Sequence, residues 1–199
     1  MSQGASGERR GAIILARHGR PALSRRVLLS AEQYRAWWAR YEEQGLKPGQ
    51  DAPDELRALA RDACEVIAST RPRSVESAQI TCGERAFVTE ETFIEAPLPP
   101  PRWPALLRLP PIVWGFISRV NWWFFGPRSG QESRREAEIR AEAAAARLEA
   151  AAQSGGDVLV LAHGFFNAMV ARALRRRGWR LTANGGYAYW AARRFEKRS

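Results

Sequence analysis

A three-layer α/β/α domain on a mostly parallel sheet is predicted by three features of the chain. Short uninterrupted apolar runs at Ile13–Leu15, Val66–Ala68 and Val158–Leu161 read as strands buried on both faces. Stretches with helical spacing lie between them, and polar loops rich in Gly, Pro and Arg join each strand to the next helix. Strand, loop and helix repeated in this order place helices on both sides of a parallel sheet.

The polar segment 1–11 is expected to be flexible, and the run Ala12–Ala16 opens the fold. After a turn-rich stretch from Gly19 to Ser30, Ser30 and Gln33 form a capping box. Tyr34, Trp37, Trp38 and Tyr41 then recur at helical spacing until Gly45. Asp51 is expected to cap a second helix, with Pro53 near its first turn and Leu56, Leu59 and Ala60 inward. Beyond Val66–Ala68, a helix runs from about Ser74 to Cys82 and stops at Gly83, with Phe87-Val88 as a small strand. The proline-rich piece from Pro97 to Pro111 breaks the pattern, and an aromatic segment extends to Gly126-Pro127. A helix of strong formers spans Ser133 to Ala152, with Ile139, Ala143, Ala146 and Ala150 along one side. Val158–Leu161 precedes a helix from about Phe166 to Arg177, and the tail offers one late strand, Ala188–Phe195. No linker divides residues 12–199, which read as a single domain with an apolar insert at about 97–130.

The 199 residues are 45% hydrophobic and 26% charged, enough for one sizeable core without disulfides. Disorder and a bridged secreted scaffold are both excluded. Two histidines, two cysteines and no Cys-x-x-Cys spacing leave too few soft ligands for a structural zinc site or an iron–sulfur cluster; carboxylates could still hold a hard cation, but chemistry on side chains alone, with no metal and no cofactor, is the expectation. The net charge is +10, and all but two of the 31 basic residues are arginine. That charge favours anionic partners without saying which. The apolar run near the start is too short for a signal-peptide core, which points to the cytoplasm. Trp103–Phe125 contains arginines and prolines that argue against a spanning helix.

Both histidines stand in nearly the same setting, Ile13-Ile-Leu-Ala-Arg-His18-Gly19 and Val158-Leu-Val-Leu-Ala-His163-Gly164. Each follows a buried strand, at the carboxyl edge where open α/β sheets bind ligands. Two adjacent parallel strands would bring the imidazoles together. A third strand end supplies Arg71 and Arg73, and Arg17 lies next to His18. Guanidinium forks match phosphate oxygens and stay charged near neutral pH, so the inventory fits a phosphoryl group. An imidazole with one nitrogen holding its proton can attack phosphorus with the other. The leaving alkoxide then needs a carboxylic acid, with Glu90, Glu91 and Glu95 as candidates in the loop after Phe87-Val88.

These motifs resemble those of the histidine phosphatase superfamily, which includes phosphoglycerate-mutase-like enzymes. Arg17-His18-Gly19 looks like its Arg-His-Gly motif, and Ser69-Thr-Arg-Pro-Arg73-Ser-Val-Glu-Ser-Ala78 is similar to its second motif. Ala162-His163-Gly164 resembles its late Ser-His-Gly motif. The resemblance implies a metal-independent phosphomonoester hydrolase. In it His18 would be the phosphorylated nucleophile, Arg17, Arg73 and His163 the phosphate pocket, and Glu95 the proton donor with Glu91 in reserve. Arg71 and Asn167 are further candidates. Arg20-Pro-Ala-Leu23 after Gly19 departs from the mutase pattern and favours hydrolysis over mutase activity.

The expected partner is a phosphorylated small molecule or phosphoprotein. The insert would serve as a cap or core, as a homodimer face, or as a membrane-surface patch. Two rival functions stand beside the enzyme. One is a noncatalytic phosphate or phosphoprotein binding module, and the other is a nucleic-acid binder resting on Arg172, Arg175, Arg176, Arg177 and Arg180. No groove-reading motif accompanies those arginines, and nucleic acid is not an expected partner.

Overall fold

A computed structural model describes residues 10–97, 100, 103–125 and 131–197. Among the described residues six strands form one sheet: β1 (Ile13–Arg17), β2 (Glu65–Ser69), β3 (Val88–Glu90), β4 (Val158–Ala162), β5 (Arg180–Asn184) and β6 (Ala192–Glu196). Their order is β3-β2-β4-β1-β6-β5. The first four are parallel, and β6 and β5 extend the sheet antiparallel. Around it lie α1 (Ala31–Glu43), α2 (Asp54–Asp62), α3 (Pro72–Cys82), α4 (Pro111–Phe125), α5 (Arg134–Ala152) and α6 (Gly164–Arg176), with a short 3-10 turn at Glu91–Phe93.

Alternation along the strands builds the two cores. Ile13, Leu15, Val158 and Val160 face α5, α6 and Trp122 on one side of the sheet. Ile14, Ala16, Leu159 and Leu161 face α2 and α3 on the other. Burial on both faces explains why these strands are continuous apolar runs. A third, aromatic cluster joins α1 to α4 through Tyr34, Trp37, Tyr41 and Trp114. The Trp114 indole N–H donates to the Leu29 carbonyl at 2.7 Å, so a large buried ring keeps its polar atom satisfied.

The capping box at Ser30 and Gln33 forms as predicted. Other expectations are corrected. Asp51 does not cap the second helix; Pro53 takes that position, and the Asp51 carboxylate accepts from the Ala52 N–H and from Arg57. The third helix starts at Pro72 rather than Ser74, because proline fits a first turn whose N–H groups lack helical partners. The side of α5 marked by Ile139 is not the buried one. Ile139 is 61% exposed, while Ala137, Ala141, Ala144, Ala145 and Leu148 pack inward. Alanine on every side of this helix left packing to choose the face. The single late strand is instead two. Residues 185–191 form a loop, and β5 precedes it as a polar edge strand whose exposed Arg-Leu-Thr-Ala-Asn sequence carries no apolar pattern.

Of segment 1–11, expected to be flexible, only Arg10 and Gly11 lie within the described residues; Gly11 is buried and donates its N–H to the Ala152 carbonyl. Of the insert at 97–130, residues 98–99, 101–102 and 126–130 also lie outside. Among the described residues no helix is long and apolar enough to cross a membrane.

Candidate active site

The pairing of β1 with β4 sets Arg17 opposite Ala162. The next residue in each strand is a histidine, and the His18 N–H continues the ladder by donating to the Ala162 carbonyl at 2.9 Å. The two rings consequently meet with centroids 5.2 Å apart at 63°. Gly19 follows because no side chain fits there: a Cβ would lie 2.3 Å from the Trp190 ring. Its N–H donates to the Ser77 hydroxyl at 2.8 Å, fixing the turn that carries His18.

Partners decide the tautomers. His18 Nδ1 lies 2.7 Å from the Gly19 carbonyl oxygen, which can only accept, so Nδ1 carries the proton and Nε2 keeps its lone pair. His163 Nδ1 lies 3.3 Å from Arg73 Nη2, which can only donate. The proton of His163 therefore sits on Nε2 and is donated to Ser69 Oγ at 3.0 Å. Burial, with the charges of Arg73 and Arg17 beside it, holds the His18 ring well below the usual imidazole range. His163 is depressed by burial, then by Arg73 and His18. Both rings are thus neutral near pH 7 in the unliganded site.

Arg73 is fully buried yet organised. Its Nη1 donates to the Tyr41 carbonyl at 2.9 Å and its Nη2 to Glu42 Oε1 at 2.8 Å, with the guanidinium 4.6 Å from the Tyr41 ring centroid. The carboxyl end of α1 thereby positions an arginine carried by α3. Arg17 stacks 4.2 Å from the Tyr189 centroid and donates to the Tyr187 carbonyl at 2.6 Å, while its Nε is buried without a partner. A planar donor left unmatched beside two imidazoles is suited to an anion.

Glu95 reaches the site from the loop after β3. Its carboxylate accepts from the Phe166 N–H at 2.8 Å and the Phe165 N–H at 3.4 Å, in the first turn of α6. Burial raises its pKa above the ordinary carboxyl value, against the opposing pull of Arg119 and the Phe166 N–H. A buried carboxyl of this kind retains a proton to higher pH than a solvated one.

These groups share a cavity of about 270 Å³, bounded by Arg17, His18, Arg73, Glu95 and His163. Arg25, Trp38, Tyr41, Arg119, Phe165 and Tyr187 complete the wall. Glu91 and Arg71 border a different cavity, and Arg71 pairs with Glu42 at 3.0 Å. Asn167 is buried below the site, where its amide donates to the Ala16 carbonyl at 2.9 Å. Among the described residues no group of three or more His, Cys, Asp or Glu could hold a metal ion.

Sequence reasoning missed Arg25, Tyr41 and Arg119 as parts of this wall, and Glu42 as the carboxylate behind it that holds Arg73. Glu42 had no local signal, since its partner Arg73 lies 31 residues away. Ser69 was present in the second motif, but its bond to His163 depends on β2 lying beside β4.

No family model and no curated protein matches the chain. Solved structures do. A mycobacterial glucosyl-3-phosphoglycerate phosphatase, solved with VO3, aligns over 84% of this chain and 82% of its own at 18% identity and a TM-score of 0.56. Phosphoserine phosphatase from Entamoeba histolytica, in complex with phosphoserine, aligns over 94% and 96% at 13% identity and a TM-score of 0.53. An open reading frame product of Mycobacterium tuberculosis aligns over 81% and 78% at 22% identity and a TM-score of 0.50. The chain has a three-layer α/β/α fold with a largely parallel sheet, resembling the phosphoglycerate-mutase and histidine-phosphatase fold.

Proposed function

We propose that this protein is a phosphomonoester hydrolase that works through a phosphohistidine on His18. The observation that carries the reading is the His18 ring itself. Its Nδ1 proton is committed to a carbonyl, its lone pair is left on Nε2, and it lies beside His163 in a cavity lined by arginines. In the first step Nε2 bonds to phosphorus as the ester P–O bond breaks, and Glu95 gives its proton to the departing alkoxide. Arg17 and Arg73 hold the nonbridging oxygens while charge spreads over them, and His163 joins them when the bound dianion draws a second proton onto its Nδ1 in place of the Arg73 contact. In the second step water attacks phosphorus, the P–N bond returns its electron pair to His18, and the Glu95 carboxylate takes the water proton. Inorganic phosphate leaves and the starting state is restored. Both steps are served by side chains alone, consistent with activity that needs no metal.

The fold of the phosphatases reported above supports this reading, and so does the raised pKa of Glu95. The test is trapping. Protein turned over on radiolabelled p-nitrophenyl phosphate and quenched in alkali should carry label on the peptide containing His18, released by acid. His18→Ala should abolish both label and turnover. Glu95→Gln should slow alkyl phosphates far more than p-nitrophenyl phosphate, whose leaving group needs little protonation. Phosphate binding without label or turnover would replace the enzyme by a phosphate-binding module.

A further inference from the structure

We propose that the outer face of α4 seats the protein on an anionic lipid bilayer, and that the adjoining cavity takes the phosphomonoester head group of an amphiphile held in that surface. The choice of substrate rests on the phosphatase reading above; the choice of surface does not.

α4 is apolar on two opposite faces. Trp114, Ser118 and Trp122 pack inward. Ile112, Phe116, Val120 and Phe124 recur every fourth residue and form one stripe on the outside. Phe116 is 66% and Phe124 73% exposed, in contrast to the fully buried tryptophans of the same helix. Leu29 and Leu109 pair backbone to backbone, which brings the exposed Leu28 beside the segment that precedes α4. A soluble monomer rarely presents a contiguous apolar surface of this kind.

Charge selects the occupant. The sequence contains no aspartate or glutamate between Glu95 and Glu132, while Arg108 and Arg119 lie within that stretch and the exposed Arg26 flanks Leu28. A second copy docked face to face would oppose this positive strip to itself. An anionic lipid surface accepts both components: aromatic and aliphatic side chains enter the head-group and acyl boundary, and guanidinium groups meet lipid phosphates. Fifteen residues span about 22 Å, less than the ~30 Å of a bilayer core, so α4 lies in the surface rather than across it.

The same helix leads to the site. Arg119 lies on the flank of the stripe, stacks 5.3 Å from the Phe165 centroid, and lines the cavity that holds His18. A phosphate head group at the surface would thus enter beside the element that binds the surface.

The test is sedimentation of the full chain with vesicles of phosphatidylcholine alone or mixed three to one with phosphatidylglycerol. The mixed vesicles should carry the protein down, neutral ones should carry much less, and high salt should release it. The double variant F116E/F124E, with circular dichroism unchanged, should lose more than about tenfold in partitioning while keeping wild-type hydrolysis of p-nitrophenyl phosphate. It should also lose hydrolysis of phosphatidic acid presented in vesicles. The surface proposal is overturned if wild type stays in the supernatant, if the double variant sediments equally, or if light scattering shows a dimer that the variant disperses while vesicles bind neither protein. Absence of p-nitrophenyl phosphate hydrolysis in wild type would remove the phosphatase reading and the substrate with it, and leave the vesicle result to be judged alone.

Discussion

The carboxyl edge of the parallel sheet and the helix α4 border the same cavity but are built by opposite rules. At the sheet edge every ring nitrogen with an assigned proton has a partner, and Arg73 is buried against Tyr41, Glu42 and His163. Along α4, large side chains are left facing water on one side while two tryptophans are sealed on the other. The difference separates a buried polar cluster from an exposed apolar one. Polar partners are matched closely where charge is held in a low dielectric, and apolar side chains are left exposed on the outer side of α4.

The contrast is sharpest within α4. Trp114→Ala should cost about 3–5 kcal/mol in denaturant unfolding, because it empties the aromatic cluster with α1 and frees the Leu29 carbonyl. Phe124→Ala should stay within about 0.5 kcal/mol. Similar losses at the two positions would break the distinction between inner and outer faces. At the sheet edge, Arg73→Ala should lower turnover of a phosphomonoester by about a hundredfold or more, from loss of a preorganised donor. Arg71→Ala, a variant of an arginine outside the cavity, should cost far less. Equal effects would mean that both arginines act only by holding Glu42.

The smallest effect is on pH dependence. His18 and His163 have folded pKa values depressed below their unfolded ones, so the stability they contribute is present above about pH 6.5 and is lost as pH falls toward their lowered values. Below that point the unfolded chain takes up protons that the native rings refuse. Glu95 acts in the opposite sense, costing stability as pH rises from the usual carboxyl value through its raised one. The melting temperature should drop between about pH 7 and pH 5.5, and His163→Asn should flatten that drop. Added phosphate should oppose it by favouring charged imidazoles. A profile unaffected by His163→Asn would show that this ring is not held neutral.

Most of this architecture was legible because its strands are sealed on both sides. Val158–Leu161 and Ile13–Leu15 needed no partner information to be recognised, and the repeated His-Gly after each marked one edge of the sheet. β5 escaped because an exposed edge strand has no apolar period to display. The inner face of α5 was misread because alanines around the whole helix leave the choice to neighbouring elements. Glu42 was invisible for a related reason: its importance lies in an arginine on another helix. The outer stripe of α4 was visible as apolar sequence, but which of its rings faced outward depended on Trp114 and Trp122 claiming the interior.

Asn167 ties these parts into one mechanical unit. Through it, α6 is pinned to β1 two residues before His18, while the opening turn of the same helix clasps Glu95 and begins directly after His163. His18, Glu95 and His163 therefore ride on a common frame. Thermal breathing that shifts the frame relative to α4 would reshape the mouth of the cavity, yet leave the spacing of these three side chains undisturbed.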